Sequence, residues 1–142
     1  MHHKRLVVDA NILIRAVLGN RVRNLLEKYC ENVAFYVAEA NAEEASYYLF
    51  NMLAAKHNLN SDLCRSVLDS VLNIVQVVSN DVLTEIEIKA KARIKARDIN
   101  DWPAVATALL LDCPIWTEDH DFFGSGIATW TTTTVELYLA ES

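Results

Sequence analysis

Short apolar runs at 5–8, 33–38, 75–79, 114–117 and 127–131 recur along the chain, separated by longer amphipathic segments. This alternation constrains the fold more than any other feature. Runs this short and mostly apolar match strands covered on both faces. Strands separated by helices require right-handed crossovers and a parallel sheet. The expected class is α/β. A length of 142 residues fits one domain spanning 1–142, large enough for a single core.

The local signals agree with that frame. A helix over 11–18 stops at Gly19, a second covers 21–30, and a long helix after the second strand runs to about His57. The apolar stripe of that long helix is Ala45, Tyr48, Leu49, Met52 and Leu53. Ser61 caps the next helix, with Leu63, Val67, Val71 and Ile74 facing inward. Asp81 opens a helix that continues through the basic stretch 89–97. Asn100 and Asp101 open another, with Pro103 in its first turn, ending near Leu111. Thr133, Thr134, Val135 and Glu136 match a capping box for a last short helix.

In such a sheet the helices begin at the carboxyl edge of the strands, where ligands bind. That geometry sorts the acids. Asp9 follows the first strand, and Asp119 and Asp121 follow the fourth. Glu43 and Glu44 lie early in the helix after strand two, and Asp101 lies in the first turn before strand four. Helix phase places Glu44 on the flank of the apolar stripe and Glu43 nearly opposite it, which favours Glu44. Glu39 and Asp98 rank below these. Each acid has an ordinary explanation. Asp9 and Asp101 fit helix caps, Asp119 and Asp121 fit turns, and Glu44 fits a solvated helix face. Together they require several caps to share one sheet edge by accident. Converging carboxylates repel unless a cation neutralises them, and an oxygen-only donor set suits Mg²⁺ or Mn²⁺, one or two ions. Such ions activate water and stabilise charge on a phosphoryl group.

These residues resemble a known family. VVDANIL at 7–13, AEEASYYL at 42–49, RDINDWPAVATAL at 97–109 and WTEDHDFF at 116–123 look like the four motifs of PIN domains, in the family's order. The resemblance implies a three-layer sandwich, with a five-stranded parallel sheet in the order 3-2-1-4-5 and helices on both faces. It implies a metal-dependent endoribonuclease with Asp9, Glu44, Asp101 and Asp119 as catalytic acids. The metal would sit on Asp9, Asp101, Asp119 and Asp121, while Asn11 and Thr117 orient an acid or a bound water. Single-domain members of this size are commonly VapC-like toxins, which implies a cognate antitoxin and a homodimer. The tail at 124–132 departs from the usual toxin pattern.

The substrate side is less marked. Lys89, Arg93 and Arg97 recur every four residues along one helix face and could hold RNA phosphates, as could Arg15. The ordinary alternative is a solvated helix surface. Base-reading aromatic motifs are absent, and Trp102, Trp116 and Trp130 suit packing. Cys30, Cys64 and Cys113 are expected as reduced, mostly buried thiols without a metal or disulfide pattern. No apolar run is long enough to span a bilayer, and no secretory signal opens the chain, so a cytoplasmic protein is expected. A formal charge of −6 argues, taken alone, against a nucleic-acid partner; acids engaged with divalent ions at one edge remove that objection. Two competing readings are a non-catalytic PIN-fold module that binds RNA or protein, and a receiver-like domain. The first would not need all four motif acids. The second lacks the acid pair before strand one and the lysine after the last strand.

Overall fold

The computed structural model describes residues 4–53 and 60–141. Leu6, Val7 and Val8 are all fully buried, yet they serve two different cores. Leu6 and Val8 join one apolar cluster and Val7 the other. A strand alternates its side chains between faces, so these consecutive apolar residues need cover on both sides. Their strand, β1 (Lys4–Val8), is the centre of a five-stranded parallel sheet in the order β3-β2-β1-β4-β5. β2 (Val33–Ala38) pairs with Leu6 opposite Phe35, and β4 (Ile115–Trp116) pairs with Val8 opposite Trp116. β3 (Val75–Val78) lies outside β2, and β5 (Thr129–Trp130) outside β4. The expected class and strand order are both present.

The first face carries Leu6, Val8, Val33, Phe35, Val37 and Trp116. It is covered by α1 (Ala10–Leu18), α2 (Arg21–Tyr29), α4 (Ser61–Ile74) and α8 (Val135–Leu139), together with Ala45 of α3 (Glu39–Tyr47). The second face carries Val7, Ala38 and Ile115 under α5 (Asn80–Leu83), α6 (Glu87–Ile94) and α7 (Trp102–Leu111). Val17, Leu49 and Leu68 form a smaller cluster beside the first. Among the described residues no helix is long and apolar enough to cross a membrane.

Several local expectations change. α3 gives way at Tyr48 to a π-helical segment, Tyr48–Leu53, so the long helix is not regular; its expected end near His57 lies outside the described residues. The wider turn leaves Tyr48 and Met52 exposed instead of in the stripe. Asn60, not Ser61, caps α4, its side chain accepting from the Leu63 N–H at 3.1 Å. The inward face of α4 is shifted accordingly: Leu63 is exposed, and Leu68 and Val71 are buried. The helix expected from Asp81 through 97 is broken into α5, a 3₁₀ turn at Thr84–Ile86 and α6. The capping box before α8 does not form. Glu136 instead accepts from Lys28 (3.0 Å) and from the Tyr29 hydroxyl (2.5 Å), fastening α8 to α2. The cysteines are less buried than expected, Cys30 being exposed and the other two half-buried.

One turn has a stringent backbone requirement. Gly126 has φ +83°, and a Cβ there would lie 2.5 Å from a guanidinium nitrogen of Arg93. Arg93 in turn donates to the Ser125 carbonyl at 3.2 Å. Its side chain can swing away, so the conformational cost at Gly126 dominates. Gly126→Ala is expected to destabilise the domain by about 1–2 kcal/mol. Urea unfolding would check this; a midpoint equal to that of the parent would refute it.

Candidate metal centre

Parallel strands deliver their C-terminal residues to one edge. Asp9 ends β1 there and caps α1, its Oδ1 accepting from the Ile12 N–H at 3.0 Å. Its other oxygen accepts from the Thr117 hydroxyl, which lies just after β4. The Thr117 oxygen accepts from the Asp119 N–H (2.9 Å), and Asp119 Oδ1 accepts from the Asp121 N–H (2.9 Å). One hydrogen-bonded chain thus joins the ends of two neighbouring strands. Asp9, Thr107 and Thr117 are among the few buried polar side chains.

Burial pushes the Asp9 carboxyl up to about 6, against the lowering effect of the hydrogen bonds from Thr117 and Ile12; the charges of Asp119 and Glu44 push the same way as burial. Asp101 is pushed up to about 7, first by burial and then by Asp119, Asp98, Asp121 and Asp9. These carboxylates therefore feel one another across the edge. Asp101 sits at the cap position of α7 but makes no capping hydrogen bond, and its Oδ2 is buried without a partner. A buried carboxylate oxygen normally has a donor. Asp98, Asp101 and Asp121 each present an oxygen within 4.8 Å of the other two. The orphaned oxygen, the mutual repulsion and the oxygen-only donor set all fit a hard divalent cation.

The acids expected from sequence are thus brought to one place. Glu44 is exposed on α3 and lines a groove of about 470 Å³ with Asp119, Asn11, Arg15 and Tyr48; Glu43 is not on its wall. Glu39 is otherwise engaged, accepting from the Asn80 N–H at 2.9 Å as it caps α5. Asp98 is more central than its sequence rank suggested. Its place three residues before Asp101 was the available signal. Glu118 was missed altogether. It lines the groove, and its Oε1 is held by the Thr132 N–H at 2.7 Å.

The basic residues disperse. Arg93 is drawn to the Ser125 carbonyl and lines a separate groove with Pro114 and Ala128, which precede β4 and β5 at the amino edge. Arg97 lies near Gly124, and Lys89 is exposed. Arg15 lines the groove beside Glu44 and Asp119.

The chain is similar to several solved structures, a toxin–antitoxin complex among them. VapBC2 from Rickettsia felis, bound to a DNA fragment from its promoter, matches with a TM-score of 0.70 at 15% identity, over 89% of this chain and 98% of that one. PAE2754 from Pyrobaculum aerophilum matches at 0.68 and 16% identity, over 96% and 90%. A toxin–antitoxin complex from Klebsiella pneumoniae matches at 0.64 and 19% identity, over 89% and 97%. Comparison with curated proteins gives no match. A family model for the PIN domain matches residues 7–140, nearly the whole length. With that match, and with the sheet order and acid-lined edge described above, this chain belongs to the PIN domain family.

Proposed function

We propose that this domain is a Mg²⁺- or Mn²⁺-dependent endoribonuclease and the toxin of a type II toxin–antitoxin pair. The observation that carries the nuclease reading is the convergence of Asp9, Glu44, Asp101, Asp119 and Asp121 on one edge, with a buried Asp101 oxygen left without a donor. Asp9, Asp101, Asp119 and Asp121 would hold one or two ions, joined by Asp98. When bound, the metal supplies charge stabilisation at the phosphoryl oxygens and lowers the pKa of attached water. The chain's own residues set the geometry. Thr117 and the Ile12 N–H fix both oxygens of Asp9, and the Asp121 N–H fixes one oxygen of Asp119. Asn11 and Glu44 line the groove that meets them and position the substrate side. Similarity to a toxin–antitoxin complex and to VapBC2 supports the antitoxin partner; the homodimer rests on the family resemblance alone.

Incubation of the purified domain with RNA and Mn²⁺ is expected to give fragments with 5′-phosphate and 3′-hydroxyl ends. EDTA should abolish the reaction and excess Mn²⁺ restore it. Cleavage undiminished by EDTA would refute the metal role. The toxin reading predicts growth arrest on expression, relieved by co-expression of the neighbouring gene; unimpaired growth with active enzyme would refute it.

A further inference from the structure

We propose that the groove beside the acids seats one unpaired nucleotide of the RNA, with Tyr48 stacking on its base and Arg15 holding its phosphate. This rests on the nuclease reading for the position of the cleaved bond. Two helices build the groove. Asn11 and Arg15 stand four apart on α1, and Glu44 and Tyr48 four apart on α3 and its continuation. On each helix, then, one polar residue stands at the acid end. A second residue stands about one turn further along, ~6 Å along the axis. That step is comparable to the spacing of neighbouring nucleotides in a single strand. The outer pair is a guanidinium, which suits phosphate, and an aromatic ring, which suits any base. Ala10 and Ile14 supply apolar wall between them.

Tyr48 is placed there by the backbone. It begins the π-helical segment, and such turns often mark functional sites. Its side chain is 40% exposed, although the heptad-like stripe of α3 would have buried it. A volume of about 470 Å³ accommodates one nucleotide. A base lying on the Tyr48 ring has left its stack, so paired RNA does not fit. Glu44, Glu118 and Asp119 at the inner end repel phosphate, so occupancy requires a divalent ion at the acids.

The test uses a short single-stranded RNA carrying 2-aminopurine at successive positions, with Ca²⁺ in place of Mn²⁺ to limit cleavage. Emission is expected to be quenched at one position on binding. Tyr48→Phe should keep the quenching. Tyr48→Ala should lose it, with affinity reduced on the order of tenfold. Arg15→Gln should lower affinity and reduce the salt dependence by about one phosphate contact. The same RNA annealed to its complement should bind weakly and without quenching. Unchanged quenching in Tyr48→Ala, or duplex bound as tightly as single strand, would overturn the proposal. Quenching that persists without cleavage in Mn²⁺ would overturn the nuclease reading instead, leaving the groove assignment standing.

Discussion

Asp9→Asn is expected to abolish RNA cleavage, by on the order of a thousandfold or more, while raising the thermal stability of the metal-free domain. The two effects share one cause. Asp9 is 5% exposed and its carboxyl is pushed up to about 6, chiefly by burial. A buried charge beside Asp119 and Glu44 costs stability until a cation offsets it. Asparagine keeps an oxygen for the Ile12 N–H, so the cap on α1 survives. Its amide can donate where the Thr117 hydroxyl donates to the carboxylate now. What is lost is the negative charge. At pH 7.5 in EDTA the variant should melt roughly 5–10 °C above the parent. Activity within tenfold of the parent, or a melting temperature well below it, would sink the assignment of Asp9.

The second large effect couples pH to metal. The folded-state pKa of Asp9 is raised above its ordinary value of 3.8, so the folded domain binds this proton more tightly than the unfolded chain. Stability from this group is therefore present below about 4 and lost as pH rises through about 6. At about 1.4 kcal/mol per unit the loss is of order 3 kcal/mol. Asp101, pushed up to about 7, extends the loss towards neutrality, with a smaller effect because it is only half-buried. Glu136, lowered by Tyr29 and Lys28, acts in the opposite sense but is open to solvent and contributes little. In EDTA, melting temperature should fall between pH 5 and pH 7.5. Mn²⁺ should reverse that fall, giving a larger shift at pH 7.5 than at pH 5, where protons compete for the same oxygens. Equal shifts at the two pH values, measured by calorimetry, would show that Asp9 and Asp101 do not hold the metal.

The parts of the fold legible in sequence were those governed by apolar periodicity. Val7 and Val8 on β1, and Val37 and Ala38 on β2, mark strands covered on both faces, and the strand ends then locate Asp9 and Asp119. The sheet order came from the four PIN-like motifs, since periodicity alone orders no strands. What periodicity could not show was competition among polar groups. Asn60 and Ser61 are both good caps, periodicity does not choose between them, and Asn60 takes the role. Glu136 fits a capping box, but Tyr29 and Lys28 on α2 reach it first. Arg93 has a four-residue spacing from Lys89 and Arg97, yet α6 stops at Ile94 and the Ser125 carbonyl, 32 residues away, takes the Arg93 guanidinium. Tyr48 had the period of a buried residue, and the π-helical turn rotated it into the groove. Glu136 and Arg93 were decided by partners distant in sequence.

The central position of β1 has a consequence for synthesis. β2 can pair with it early, while the chain is still growing. Its other edge waits for β4, and the hydrogen bond from Thr117 to Asp9 spans 108 residues. Domains emerging from the ribosome fold N-terminal parts first, and long-range pairings last. The half of the acid set that follows β4 therefore joins Asp9 only after most of the chain has been translated. A nascent chain carries the first acid on a half-built sheet, without Asp119 or Asp121 beside it. The translating cell meets the assembled centre only as the finished product, so any protein that restrains it has the whole of translation in which to accumulate.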